Sequence, residues 1–96
     1  MEQHHNFNFL NKETFDIEAS FKIKDLDSCM IILNTVTGDF MEVNKLGREI
    51  LIHIKEGLHY EAIKNALSKK YSGFNESELK SFISQLVVKK IIKRYV

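Results

Sequence analysis

The sequence predicts an α+β domain, a three-stranded antiparallel sheet followed by three helices, of winged helix-turn-helix type. Apolar and polar residues alternate through residues 15–24, the period of a half-buried strand. From Asn44 onward the apolar spacing changes to threes and fours, the period of amphipathic helices. Between these regimes lies GDFMEVNKLGREILIHI, in which a turn glycine, a short extended run, a capping Asn and a helical stripe follow one another. Local signals that agree in this way mark a well-specified junction.

The N-terminal half reads as a meander. Phe15, Ile17, Ala19, Phe21 and Ile23 alternate with polar residues and form the expected first strand. Asp25, Leu26, Asp27 and Ser28 make a turn, because Asp and Ser side chains hydrogen-bond nearby backbone. Residues 29–33 are apolar and rich in Ile, a more heavily buried second strand. Gly38 suits the positive φ of a bulged hairpin and returns the chain into a third strand over residues 39–43.

The C-terminal half reads as helices. Asn44 caps the first, Leu46, Ile50, Leu51 and Ile54 form its stripe, and Gly57 stops it. His59 stands at the second cap, with Leu58 and Ile63 placed to staple across it, and Ile63, Ala66, Leu67 and Tyr71 share a face. Asn75 caps the third, with Glu78 in capping-box position and Leu79, Phe82, Ile83, Leu86 and Val87 as its stripe. Ile91, Ile92, Tyr95 and Val96 are expected as a short apolar tail. Residues 1–14 are expected as an N-terminal arm, either frayed or laid on the domain formed by residues 15–96.

Ninety-six residues make one domain that buries around two-thirds of its unfolded surface, enough for a core without staples. A formal charge of +1 gives no global attraction to nucleic acid or membranes. A single cysteine excludes an internal disulfide and suits a reducing compartment. Residues 30–33, the longest apolar run, cannot span a bilayer, and the N-terminus lacks a signal-peptide pattern, so a cytoplasmic protein is expected. Cys29 has no basic neighbour and sits in an apolar strand, which points to a buried, inert thiol. His4 and His5 read as a solvated terminal pair, since a metal site needs three or four converging ligands. With no phosphate loop, paired-Cys motif or convergent His/carboxylate set, the expectation is a protein that is not an enzyme and carries no cofactor or metal.

The last two helices resemble a helix-turn-helix pair, so a winged-helix DNA-binding regulator is the alternative reading. A recognition helix needs Arg, Lys, Asn or Gln in its first turns, and here that turn is Asn75-Glu76-Ser77-Glu78. Lys89, Lys90, Lys93 and Arg94 lie at the other end. Two carboxylates facing phosphates argue against nucleic acid.

The order and spacing of these motifs resemble the PqqD-like family, the recognition elements of ribosomally made, post-translationally modified peptides. Asn34, Gly38, Phe40, Val43-Asn44, Gly47 and Ile50-Leu51 match its hairpin-to-helix junction. EGLHYEAIKNALSKKY resembles its second helix and LKSFISQLVVKKII its last. The resemblance covers residues 21–92. It departs at Lys45, where Pro or a small residue is usual, and at His59, where Thr is common.

The resemblance implies a recognition protein, not an enzyme. It implies binding of the leader region of a precursor peptide as a strand added to the third strand, and delivery to a modifying enzyme or leader peptidase of the same pathway. The implied peptide-binding residues are Asp39, Phe40, Met41, Glu42 and Val43 on the strand, with Ile83 and Val87 lining the groove and Lys80 and Ser84 at its rim. An open edge also invites self-pairing, so a homodimer through it is a further expectation. Backbone pairing and a few buried side chains, less the cost of ordering the peptide, set the expected affinity in the micromolar range.

Overall fold

A computed structural model describes residues 7–95. In chain order its elements are β1 (Thr14–Ile17), β2 (Phe21–Asp25), β3 (Met30–Asn34), β4 (Phe40–Val43), α1 (Lys45–Lys55), α2 (Tyr60–Lys70), α3 (Glu76–Val88) and β5 (Ile92–Tyr95). The α+β class is as expected: β2, β3 and β4 form a three-stranded antiparallel sheet, followed by three helices.

The strand expected over residues 15–24 is two strands. A turn separates them, closed by the Phe21 N–H donating to the Glu18 carbonyl at 3.0 Å. β1 leaves the main sheet and pairs antiparallel with β5, with Phe15 opposite Arg94 and Ile17 opposite Ile92. The expected C-terminal tail is therefore a strand. Both pieces keep their alternation, and no Gly or Pro marks the turn, so a period of two runs unbroken through it.

The helices end where their capping chemistry places them. The Asn44 Oδ1 accepts from the Gly47 N–H at 2.8 Å, and the Asn75 Oδ1 accepts from the Ser77 N–H at 2.8 Å. His59 Nδ1 accepts from the Ala62 N–H at 3.2 Å. Gly38 and Gly57 adopt φ of 83° and 84°, the left-handed region required at those turns. The core lies where the three helices meet the inner face of the sheet. Ile50, Leu51 and Ile54 of α1, Ile63 and Leu67 of α2, and Leu79, Ile83 and Leu86 of α3 bury against Met30, Ile32 and Val43. Each such side chain contributes roughly 1.5–3 kcal/mol by leaving water.

Residues 7–13 pack against α2 and α3. Carbonyls of Glu13 and Asn11 accept from the Tyr60 and Glu61 N–H groups at 2.8 and 3.0 Å, satisfying donors that open α2. Phe9 stacks on Tyr60 at 5.3 Å and meets Phe15 edge-on at 5.6 Å. The Phe7 N–H donates to Ser84 Oγ at 2.8 Å. Glu13 is buried and paired with Arg94, whose guanidinium also stands 4.8 Å over the Phe9 ring. His4, His5 and Val96 lie outside the described residues.

Candidate functional site

The three-stranded sheet has β3 at its centre, so among the described residues β4 has one free edge. Hydrogen-bond parity decides which of its backbone groups are free. The Asn34 N–H donates to the Asp39 carbonyl at 2.8 Å, and the register places Ile32 opposite Met41 and Met30 opposite Val43. Antiparallel pairs alternate between bonded and non-bonded, so the Asp39 carbonyl and the backbone groups of Met41 and Val43 turn toward β3. Phe40 and Glu42 turn theirs outward. The same parity holds across β2, where the Thr35 N–H donates to the Ser20 carbonyl at 2.8 Å.

Alternation also divides the side chains. Met41 and Val43 face inward, while Phe40 and Glu42 are exposed on the outer face, Phe40 beside Leu33 and Glu42 beside Ile31. Two hollows lie beside this edge, one at each end of β4. Near the hairpin end, Lys89 joins Phe40 and Met41 around a hollow of about 270 Å³. Near the α1 end, Phe82 and Gln85 join Asn44 and Gly47 around one of about 220 Å³. The closest approach is at Gly47, where an added Cβ would lie 2.3 Å from Val43 Cγ1 and 2.9 Å from the Phe82 ring. Only a residue without a side chain lets Phe82 reach β4 there.

This geometry redistributes the expected site residues. Asp39, Phe40, Met41, Glu42 and Val43 lie on or beside the free edge, although Val43 is buried. On α3 the expected residues occupy different environments. Ile83 is 0% exposed, in the core, and Ser84 is buried under Phe7. Val87 is half-buried and packs on the core, and Lys80 is half-buried outside both hollows. The α3 residues that line the hollows are Glu78, Ser81, Phe82 and Gln85, with Lys89 at the helix C-cap lining the one near the hairpin. The apolar stripe read from sequence includes Phe82 and gives no role to Gln85. Glu78, Ser81 and Gln85 are polar, so the margin they share with Phe82 has no apolar signature.

Ion pairs fix the frame. Arg48 at the start of α1 makes a bidentate pair with Asp25 at the end of β2, at 3.0 and 2.7 Å, and its hydrogen bond holds the Asp25 carboxyl below its ordinary range. The Tyr60 hydroxyl donates to Glu76 at 2.7 Å, tying α2 to α3. Burial first, and then that carboxylate, push the Tyr60 hydroxyl far above its ordinary value. Cys29 is half-exposed, not buried, and the Glu42 carboxylate beside it, ahead of its partial burial, raises the thiol. A thiol so placed is a poor nucleophile. Among the described residues no group of three His, Cys, Asp or Glu converges as metal ligands, and no helix is long and apolar enough to cross a membrane.

A small α+β domain with an open strand edge and a hollow at each end of that edge is thus the frame of the site. No protein-family model matches the sequence, and no curated protein matches it. Among solved structures the chain is similar to TbiB1 in complex with the TbiA(beta) leader peptide, with a TM-score of 0.74 and 23% identity over 83% of this chain and 96% of that one. The chain shares the fold of TbiB1.

Proposed function

We propose that this chain is a non-catalytic recognition protein that binds the leader segment of a ribosomal precursor peptide and delivers it to a modifying enzyme or leader peptidase. The carrying observation is the free β4 edge with a hollow at each end. An added strand finds four unpaired backbone groups, the N–H and C=O of Phe40 and of Glu42, and lays alternate side chains into the hollow beside Phe82 and Gln85. The fold shared with TbiB1, whose structure holds a leader peptide, supports this reading. Two copies pairing through the same edge would compete with the peptide for it. The acidic first turn of α3, with Glu76 held by Tyr60, weighs against the DNA alternative.

The test begins with a search for a short precursor-peptide gene beside this one, and uses the peptide it encodes. Its leader segment should bind, its core segment should not, and binding should slow amide exchange at Phe40 and Glu42. Addition of the protein should raise kcat/KM of the pathway enzyme on the full precursor. Binding without protection of β4 removes strand addition, and sequence-selective nanomolar binding in a gel shift replaces the peptide with DNA.

A further inference from the structure

The helices pack on one face of the main sheet, against Met30, Ile32 and Val43. Register and alternation put Lys22, Leu33 and Phe40 in one row across the other, outer face, and Lys24, Ile31 and Glu42 in the next. Each row runs from a cation on β2 through an aliphatic side chain on β3. On β4 the first row ends in an aromatic ring and the second in a carboxylate. Ile31 and Leu33 are half-buried, and Phe40 is 69% exposed. Lys22, Lys24 and Glu42 are exposed, and none of the three has an ion-pair partner among the described residues. A contiguous apolar strip with a charged rim marks an interaction surface. Its rim is basic along β2 and acidic or aromatic along β4, so the face is complementary to itself.

We propose that this face pairs with the same face of a second copy of the chain, the two sheets packing as an aligned sandwich about a two-fold axis parallel to β3. That axis lays β2 of each copy over β4 of the other. Lys24 meets Glu42 of the other copy, Lys22 stands over the other copy's Phe40 ring as a cation–π pair, and Ile31 and Leu33 pack on their symmetry mates. An axis across the strands would instead set lysine on lysine, so charge selects the first arrangement. Face-to-face sheets lie ~10 Å apart, a gap that Lys and Glu side chains bridge. Three strands ~4.8 Å apart and about five residues long make a footprint of roughly 14 by 17 Å. That is well below the ~800 Å² per partner of a stable interface, so the dimer is weak, with a Kd on the order of 0.1 mM. Both β4 edges stay open, on opposite sides of the sandwich, and the proposal does not rest on the peptide reading.

Charge exchange tests the axis. Sedimentation equilibrium from about 20 μM to about 1 mM should show a monomer–dimer equilibrium for the wild-type protein. Lys24→Glu and Glu42→Lys should each weaken it at least fivefold, and the double variant, which keeps the net charge, should return to within twofold of wild type. An equimolar mixture of the two single variants should associate more tightly than either alone, because both pairs across the mixed dimer are of opposite charge. Phe40→Ser should weaken the dimer with no change of charge. In the wild-type protein alone, the methyl resonances of Ile31 and Leu33 should move with concentration while those of Ile32 and Ile63 stay fixed. Amide exchange at Phe40 and Glu42 should be the same in the dilute and concentrated samples. A monomer at about 1 mM, a dimer indifferent to the exchanged charges, or methyl shifts elsewhere than Ile31 and Leu33 overturns the proposal. Protection of Phe40 and Glu42 on concentration also overturns it, because the copies then pair through the β4 edge.

Discussion

Hydrogen-bond parity in the sheet makes Glu42→Pro the sharpest perturbation of the proposed edge. The Glu42 N–H points away from β3, so proline removes no bond of the β3–β4 ladder, and proline is tolerated on an edge strand facing outward. Its side chain is exposed opposite Ile31, so the free protein loses one weak cross-strand pair, ~0.2–1 kcal/mol. For a domain of this size that lowers Tm by a few degrees. In the complex the loss is larger. A peptide carbonyl that would accept from Glu42 faces a ring with no donor, at about 1–3 kcal/mol. Converted to affinity, that is roughly a fivefold to hundredfold rise in Kd. Fluorescence anisotropy of a labelled leader peptide reads the affinity, and circular dichroism reads Tm. Met41→Pro is the control: its N–H faces Ile32 and its side chain packs on the core, so it should lose the fold instead of binding alone. A folded Glu42→Pro that binds with wild-type affinity refutes strand addition at this edge.

Other perturbations separate the two faces of α3 and the supports behind them. Gln85→Asp, on an exposed residue lining a hollow, should keep the fold and lose at least tenfold in leader affinity, because the peptide would desolvate the new carboxylate. Val87→Asp should instead lower stability in urea, since Val87 packs on the core. Gly47→Ala forces Val43 and Phe82 apart and should cost about 1–3 kcal/mol in urea denaturation, as overpacking does. Burial would raise the Glu13 carboxyl, but hydrogen bonds from Arg94 and from the Leu10 N–H, with the Arg94 charge, outweigh it and hold the group below its ordinary value. A depressed folded value contributes stability above the ordinary carboxylate range that is lost as pH falls through the folded value. Glu13→Gln should flatten that acid limb of the stability curve and cost about 2 kcal/mol near neutrality, less than a fully buried pair because Arg94 is 33% exposed. Glu42→Gln should lower the Cys29 thiol and speed its reaction with a disulfide reagent at pH 8.

The junction from Gly38 to Gly57 was legible because each of its signals is local: a positive φ, an Asn cap, an apolar stripe and a stop. β5 was not, because Arg94 points inward to Glu13 and Phe9, and an inward ion pair hides the alternation that marks a strand. The same limit hides which margin of α3 lines the hollows. Leu79, Phe82, Ile83, Leu86 and Val87 cover too wide an arc for their sequence to say which margin meets β4. The close approach at Gly47 decides it, and that is a contact between residues 35 positions apart, Gly47 and Phe82.

Of the two edges of the main sheet, only one is left suitable for a partner. Parity turns the Phe21, Ile23 and Asp25 backbone groups outward on β2, but the Phe21 N–H is already taken by the Glu18 carbonyl. Lys22 and Lys24 stand exposed along β2, and Arg48 clamps its end through Asp25. Charge, a self-bonded start and a clamped end are the means by which proteins blunt an edge against unwanted pairing. Between Phe40 and Val43, β4 carries a single charge, Glu42, and among the described residues neither a self-bonded start nor a clamped end. Its exposed side chains are a large aromatic and one carboxylate, its outward groups are unpaired, and hollows lie at both of its ends. The contrast between a blunted edge and an open one within a single three-stranded sheet is what places the proposed partner on β4.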